Sequence, residues 1–80
     1  MKVQVHSIQK TIFKGEAEKI IAKTSTGEIT VLDMHLPLIS YLTGPEISIV
    51  DKKGKAESIK IRSGFLEVRP ESDVLILADV

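Results

Sequence analysis

Eighty residues, eleven basic and eleven acidic side chains, three aromatics and no cysteine bound what this chain can be. That length makes one small domain, which buries only about 60% of its unfolded surface, and no disulfide or thiolate metal site can reinforce it. Balanced charge gives no electrostatic case for nucleic acid or an anionic membrane, and Phe13, Tyr41 and Phe65 are too few for a base-stacking platform.

No apolar run reaches the roughly 18–20 residues that span a bilayer, and Met1–Lys10 lacks the apolar core of a signal peptide. The expected location is the cytosol, or a surface facing it. Isoleucine and valine dominate the apolar set, and β-branched side chains favour pleated strands over helices. Alternation of period two begins at Val3 and Val5. It returns at Ile29 and Val31, at Ile47 and Ile49, at Ile59 and Ile61, and at Leu66 and Val68 around an outward Glu67. Val74–Leu77 is apolar at every position, which predicts a central strand covered on both faces. Turn residues separate these runs at Ser25–Gly27, Thr43–Pro45, Asp51–Gly54, Ser63-Gly64 and Pro70–Asp73.

Asp33–Leu42 departs from the pattern. Pro37 suits a first helical position, and Leu38, Tyr41 and Leu42 have the helical spacing of a plug that closes one end of a sandwich. The other reading leaves some of Met34, Leu36 and Leu38 exposed for a partner. The expected fold is all-β: a flattened sandwich or barrel of about 8–10 short strands with at most one or two helical turns near residues 36–42. Residues 1–80 are expected to form a single domain.

Signs of chemistry are sparse. Asp33 and His35 lie two apart, but a metal needs three or four ligands and nothing nearby supplies them. His6 reads as an exposed strand position and His35 as a loop residue. Seven serines are present without a nucleophile-elbow motif around any of them. Gly27 and Gly64 are isolated, so no phosphate-cradling loop is formed. Lys52, Lys53 and Lys55 read as a solvated hairpin tip that deters edge pairing, and Glu16 and Glu18 as a charged strand edge. A lipoyl- or biotinyl-carrier domain would present a lysine in a hairpin motif absent here. No catalytic residue, metal or cofactor is expected.

The order of several motifs resembles the N-terminal β-sandwich domain of the epsilon subunit of F-type ATP synthase. Phe13-x-Gly15-x-Ala17 looks like that family's opening strand. Gly27-Glu28-Ile29 leading to His35-x-Pro37-Leu38, then Gly64-Phe65-Leu66-Glu67-Val68, then Leu75-Ile76-Leu77-Ala78-Asp79, are similar to its later motifs in the same order. Thr30 and Ser63 stand where the family usually has glycine, and Asp33-Met34 replaces its usual Pro-Gly. An Asx turn at Asp33 is the expected substitute for that Pro-Gly.

The resemblance implies a non-catalytic part of the rotor's central stalk in a proton- or sodium-driven ATP synthase, docking on the gamma subunit and the membrane c ring. By that analogy the ring-facing loop is Glu28–Leu38: Glu28 and His35 offer charge or hydrogen bonds, and Met34 and Leu36 offer apolar contact. Ser7 and Ser40 are expected near gamma. The implied location is the cytoplasmic face of a bacterial inner membrane, peripheral through the complex, with a monomer when isolated. The family commonly continues into a C-terminal helical hairpin. Residues 1–80 stop where it would begin, so neither hairpin-mediated inhibition nor its ATP site is expected. Two other classes are weighed: a free-standing ligand- or carbohydrate-binding sandwich, which needs a concave groove, and a small hydrolase, which needs His6 or His35 against a serine.

Overall fold

Eight strands realise the alternating pattern in the computed structural model, which describes residues 1–80. They are β1 (Lys2–His6), β2 (Thr11–Glu16), β3 (Lys19–Thr24), β4 (Gly27–Leu32), β5 (Leu38–Val50), β6 (Ala56–Lys60), β7 (Ser63–Arg69) and β8 (Asp73–Asp79). Hydrogen-bonded neighbours run β2-β1-β8-β7-β5-β3-β4, with β6 also on β5. Every pair is antiparallel except β1 with β8.

β5 is the strand that makes two layers out of one sheet. Its first half, Leu38–Thr43, pairs with β7, and its second half, Glu46–Val50, pairs with β6. Ser48–Val50 also pair with β3 on the other side. One layer is therefore β2-β1-β8-β7 with the start of β5, and the other is β4-β3 with the end of β5 and β6. Val3, Val5, Leu66, Val68, Val74 and Ile76 of the first layer meet Ile20, Ala22, Val31, Ile47, Ile49 and Ile59 of the second in one core cluster. No side-chain polar atom is buried without a partner.

The chain changes layers at a tight crossing. The Gly44 amide donates to the Arg62 carbonyl at 3.0 Å, and the Ile61 amide donates to the Pro45 carbonyl at 2.9 Å. A β-carbon on Gly44 would sit 2.6 Å from the Ile61 carbonyl oxygen. A second close approach occurs at Gly64, where a β-carbon would sit 2.6 Å from the Leu77 carbonyl oxygen. Gly44 and Gly64 are thus required by space.

Three expectations are corrected. The helical spacing over residues 36–42 is not used: Leu38–Leu42 is extended, because its ladder to β7 satisfies the backbone and sends Leu42 inward and Ile39 and Tyr41 outward. The plug is accordingly Leu42 alone, with Leu38 half-buried and Tyr41 exposed. Thr43-Gly44-Pro45 does not separate strands but lies within β5. Finally, β8 is central but covered on one face only. Val74, Ile76 and Ala78 are buried, whereas Leu75 is half-buried and Leu77 is 50% exposed. A run of apolar residues cannot by itself distinguish a covered face from one reserved for contact.

Ile76→Ala should cost about 2–5 kcal/mol, since Ile76 is fully buried between the layers. Gly64→Ala should cost at least ~1 kcal/mol through backbone displacement. Urea unfolding of each variant checks both, and a wild-type midpoint for Gly64→Ala would refute the close approach.

Candidate functional site

The outward row across the larger layer is apolar where a solvated sheet would be polar. Register places Tyr41 of β5 beside Phe65 of β7, Phe65 beside Leu77 of β8, and Leu77 beside His6 of β1. Tyr41 is 67% exposed and Phe65 44% exposed, and their rings lie 4.2 Å apart at 37°. Ile39 extends the patch one step along β5, and Ile8 overhangs it from the turn after β1. A groove of about 640 Å³ runs here, with His6, Ser7, Ile8, Tyr41, Phe65 and Leu77 among its walls.

Ser7 belongs to this surface. Its hydroxyl oxygen accepts from the Gln9 and Lys10 amides at 3.3 and 3.2 Å, which organises the turn carrying Ile8. Ser40 is half-buried on the opposite face of β5, next to Tyr41. Motif reading along the chain misses this row, although alternation carries a signal for it. Phe65 shares the parity of the outward Glu67, and that alone turns it away from the core.

The second surface is the connection between β4 and β5. Met34 and Leu36 project at 81% and 78% exposure, so the reading that left them free describes the fold. His35 is also exposed, with its Nδ1 2.7 Å from the Leu36 carbonyl oxygen, and its amide donates to the Leu32 carbonyl at 3.1 Å. Met34, in the position where the resemblance expects glycine, has φ of 66°. The Asx turn expected at Asp33 does not form: its Oδ1 accepts the amide of the next residue, Met34, at 3.1 Å, while the amide two residues on, that of His35, donates to the Leu32 carbonyl.

Glu28 does not join Met34, His35 and Leu36. It pairs with Lys23 at the start of β4, and four residue steps, about 13 Å, separate it from Leu32 at the other end. The two groups bracket β4, an edge strand, rather than forming one patch.

Other candidates resolve simply. His6 is half-buried rather than exposed, with Nε2 2.9 Å from Gln4 Oε1 and Nδ1 3.0 Å from Thr11 Oγ1. Neither histidine hydrogen-bonds a serine. No three His, Cys, Asp or Glu side chains gather to hold a metal. Asp51 Oδ1 accepts the Lys53 and Lys55 amides at 2.9 and 3.0 Å, so the lysine-rich tip is an ordinary Asx-organised turn.

One carboxyl is electrostatically distinct. The Ser72 hydroxyl holds Asp33 below the usual carboxylate range, helped by the Met1 ammonium and the Met34 amide and opposed by desolvation. The Met1 nitrogen lies 3.6 Å from Asp33 Oδ1.

Taken together, the geometry defines an all-β sandwich that offers two exposed apolar surfaces, on a sheet face and on a loop. The family model described as ATP synthase, Delta/Epsilon chain, beta-sandwich domain matches residues 1–80. The ATP synthase epsilon chain of Shouchella clausii is 40% identical over 80 residues, covering 99% of this chain and 58% of the relative. That of Clostridium acetobutylicum is 33% identical, covering 99% and 59%. Among solved structures, a chain of the Euglena gracilis mitochondrial ATP synthase, in a structure of OSCP, F1 and c-ring, superposes with a TM-score of 0.88. It has 25% identity over 95% of this chain and 48% of that one. A chain in the central stalk and c-ring structure of the Tetrahymena thermophila mitochondrial enzyme gives 0.80 at 17% identity, covering 100% and 63%, a likeness of fold. This chain belongs to the ATP synthase delta/epsilon β-sandwich family. It spans a little over half the length of the curated relatives it matches.

The lowered titration of Asp33 has a signed consequence. Its contribution to stability is complete above the unfolded value of about 3.9 and disappears as pH falls through the lower folded value. Asp33→Asn should therefore be less stable than wild type at neutral pH, and the gap should close in acid below about pH 3.9. Urea midpoints of both proteins across that range check it; a pH-independent gap would exclude the charge as its source.

Proposed function

We propose that this chain is the β-sandwich portion of the rotor's central stalk in a proton- or sodium-driven ATP synthase, without catalytic activity of its own. It docks on the gamma subunit and on the c ring at the membrane surface and carries rotation between them. The observation that supports this most is the match of residues 1–80 to the family's β-sandwich model.

The geometry is suited to the task. A torque-carrying adaptor needs two contact surfaces on one stiff body. Here 47 backbone hydrogen bonds cross-link the chain, and the apolar face and the loop tip lie on different parts of it. Gamma is assigned to the face of Tyr41, Phe65 and Leu77, with Ser7 at its rim and Ser40 behind it. The c ring is assigned to the β4 edge. Glu28 contacts one polar loop of the ring, while Met34, His35 and Leu36 contact another roughly a strand's length away. On this reading, residues at opposite ends of β4 serve one partner. The body is peripheral to the membrane, on the cytoplasmic side in a bacterium, and monomeric until assembled. No helix of the chain is long and apolar enough to cross a bilayer. No observation favours the ligand- or carbohydrate-binding alternative: its groove walls are mainly those of the face assigned to gamma.

Phe65→Lys should weaken gamma binding roughly tenfold or more, because an aromatic anchor at the centre of a patch carries much of its energy. Met34→Asp/Leu36→Asp should leave gamma binding intact and reduce ATP-driven ion pumping in reconstituted membranes. Surface plasmon resonance against gamma and a pumping assay, with thermal melts to exclude unfolding, read the two separately. Wild-type gamma affinity for Phe65→Lys removes the assigned face; wild-type pumping for the double variant removes the assigned edge.

A further inference from the structure

The β4–β5 loop has a conformation that its own sequence does not favour. Met34 sits at φ 66°, in the left-handed region that glycine enters freely and a residue with a β-carbon enters at a cost of roughly 1–2 kcal/mol. A conformation of that kind persists only when surrounding contacts over-determine it. The Asp33 carboxylate accepts the Met34 amide at 3.1 Å, but it is a neighbour in sequence. The contact that reaches across the fold comes from Ser72, thirty-eight positions later in the turn between β7 and β8. Ser72 Oγ accepts the Met34 amide at 3.0 Å and lies 3.3 Å from Met34 Sδ. The one hydroxyl hydrogen has two acceptors within reach, the Asp33 carboxylate and Met34 Sδ, whereas the bond from the Met34 amide uses a lone pair and forms whichever of them takes the hydrogen. Ser72 and its neighbour Glu71 are themselves left-handed, at φ 55° and 69°. The β4–β5 loop and the turn of the β7–β8 hairpin, each with left-handed residues, are thus joined through one side chain.

We propose that Ser72 is a positioning residue: its hydroxyl oxygen ties the Met34 amide to the β7–β8 turn, holds Met34 left-handed, and thereby fixes the direction in which the Met34–Leu36 tip projects. The consequence for ring binding rests on the docking reading given above; the latch itself does not. It also makes the turn after β7 part of the ring-facing apparatus, although no residue of that turn is assigned a partner contact.

Ser72→Gly tests this without backbone strain, since glycine accepts φ 55° and only the hydroxymethyl side chain is lost. In the 80-residue chain, Met34 amide exchange should accelerate at least about tenfold. The three-bond amide–α-proton coupling of Met34 should move away from its left-handed value. Exchange at Val5 and Ile76 in the core should stay as in wild type. Ser72→Ala should release Met34 in the same way. If Met34 keeps its coupling and protection in Ser72→Gly, the proposal is overturned. If exchange accelerates throughout the chain rather than at the loop, the hydroxyl is a general stabiliser and the latch is overturned too. Binding to reconstituted c ring separates the two readings. Released Met34 with reduced affinity supports both. Released Met34 with wild-type affinity, together with wild-type affinity for Met34→Ala/Leu36→Ala, supports the latch and defeats the docking reading.

Discussion

Where β5 passes from one layer to the other, its backbone touches that of the β6–β7 segment making the same passage. The paired hydrogen bonds of Gly44 with Arg62 and of Ile61 with Pro45 leave no room for a side chain at Gly44. This crossing decides the rest. It sets two sheets face to face from one continuous hydrogen-bonded network, so apolar residues at alternate positions of every strand converge in a single core. It also lets strands distant in sequence become neighbours. The parallel pair of β1 and β8, and the rows that cross four strands, exist because the second half of the chain returns to the first layer at Ser63.

Much of this architecture is legible along the chain. Valine and isoleucine at alternate positions mark β1 and β6, Leu66 and Val68 mark β7 in the same way, and Asp51–Gly54 marks the hairpin between β5 and β6. Period fails where two periods fit the same residues. Leu38, Tyr41 and Leu42 satisfy helical spacing, yet Leu38, Ser40 and Leu42 satisfy a strand equally well, and the unpaired flank of β7 decides between them. It fails again at Leu75 and Leu77, because hydropathy reports what a residue prefers and not whether anything covers it. The site is less legible than the fold. Exposure of Met34 and Leu36 follows from their place in a proline-bounded loop. The separation of Glu28 from them needs the length of β4, and the contact with Ser72 spans thirty-eight positions and leaves no local trace.

The two surfaces are rigid for different reasons. Tyr41, Phe65 and Leu77 stand on strands whose backbones are held on both sides or by a paired neighbour, so little freedom is lost when a partner covers them. The Met34–Leu36 tip has no ladder of its own. Its shape comes from a carboxylate, a hydroxyl and one turn hydrogen bond, each exposed to water. Tertiary contacts of this sort open locally at lower free energy than core strands do. The sheet face therefore behaves as a fixed plate, whereas the loop behaves as a shaped but yielding contact.

The row from Tyr41 to His6 crosses β5, β7, β8 and β1 at right angles to their length. Load applied to it along the strands shears the interstrand bonds, which then resist together. Load applied across the strands peels adjacent ladders apart one bond at a time. A body gripped by that face is consequently anisotropic: firm against a pull in one direction in the plane of the sheet and softer against a pull at ninety degrees to it. The orientation in which such a part is mounted is thus a mechanical variable in its own right, alongside the strength with which it is held.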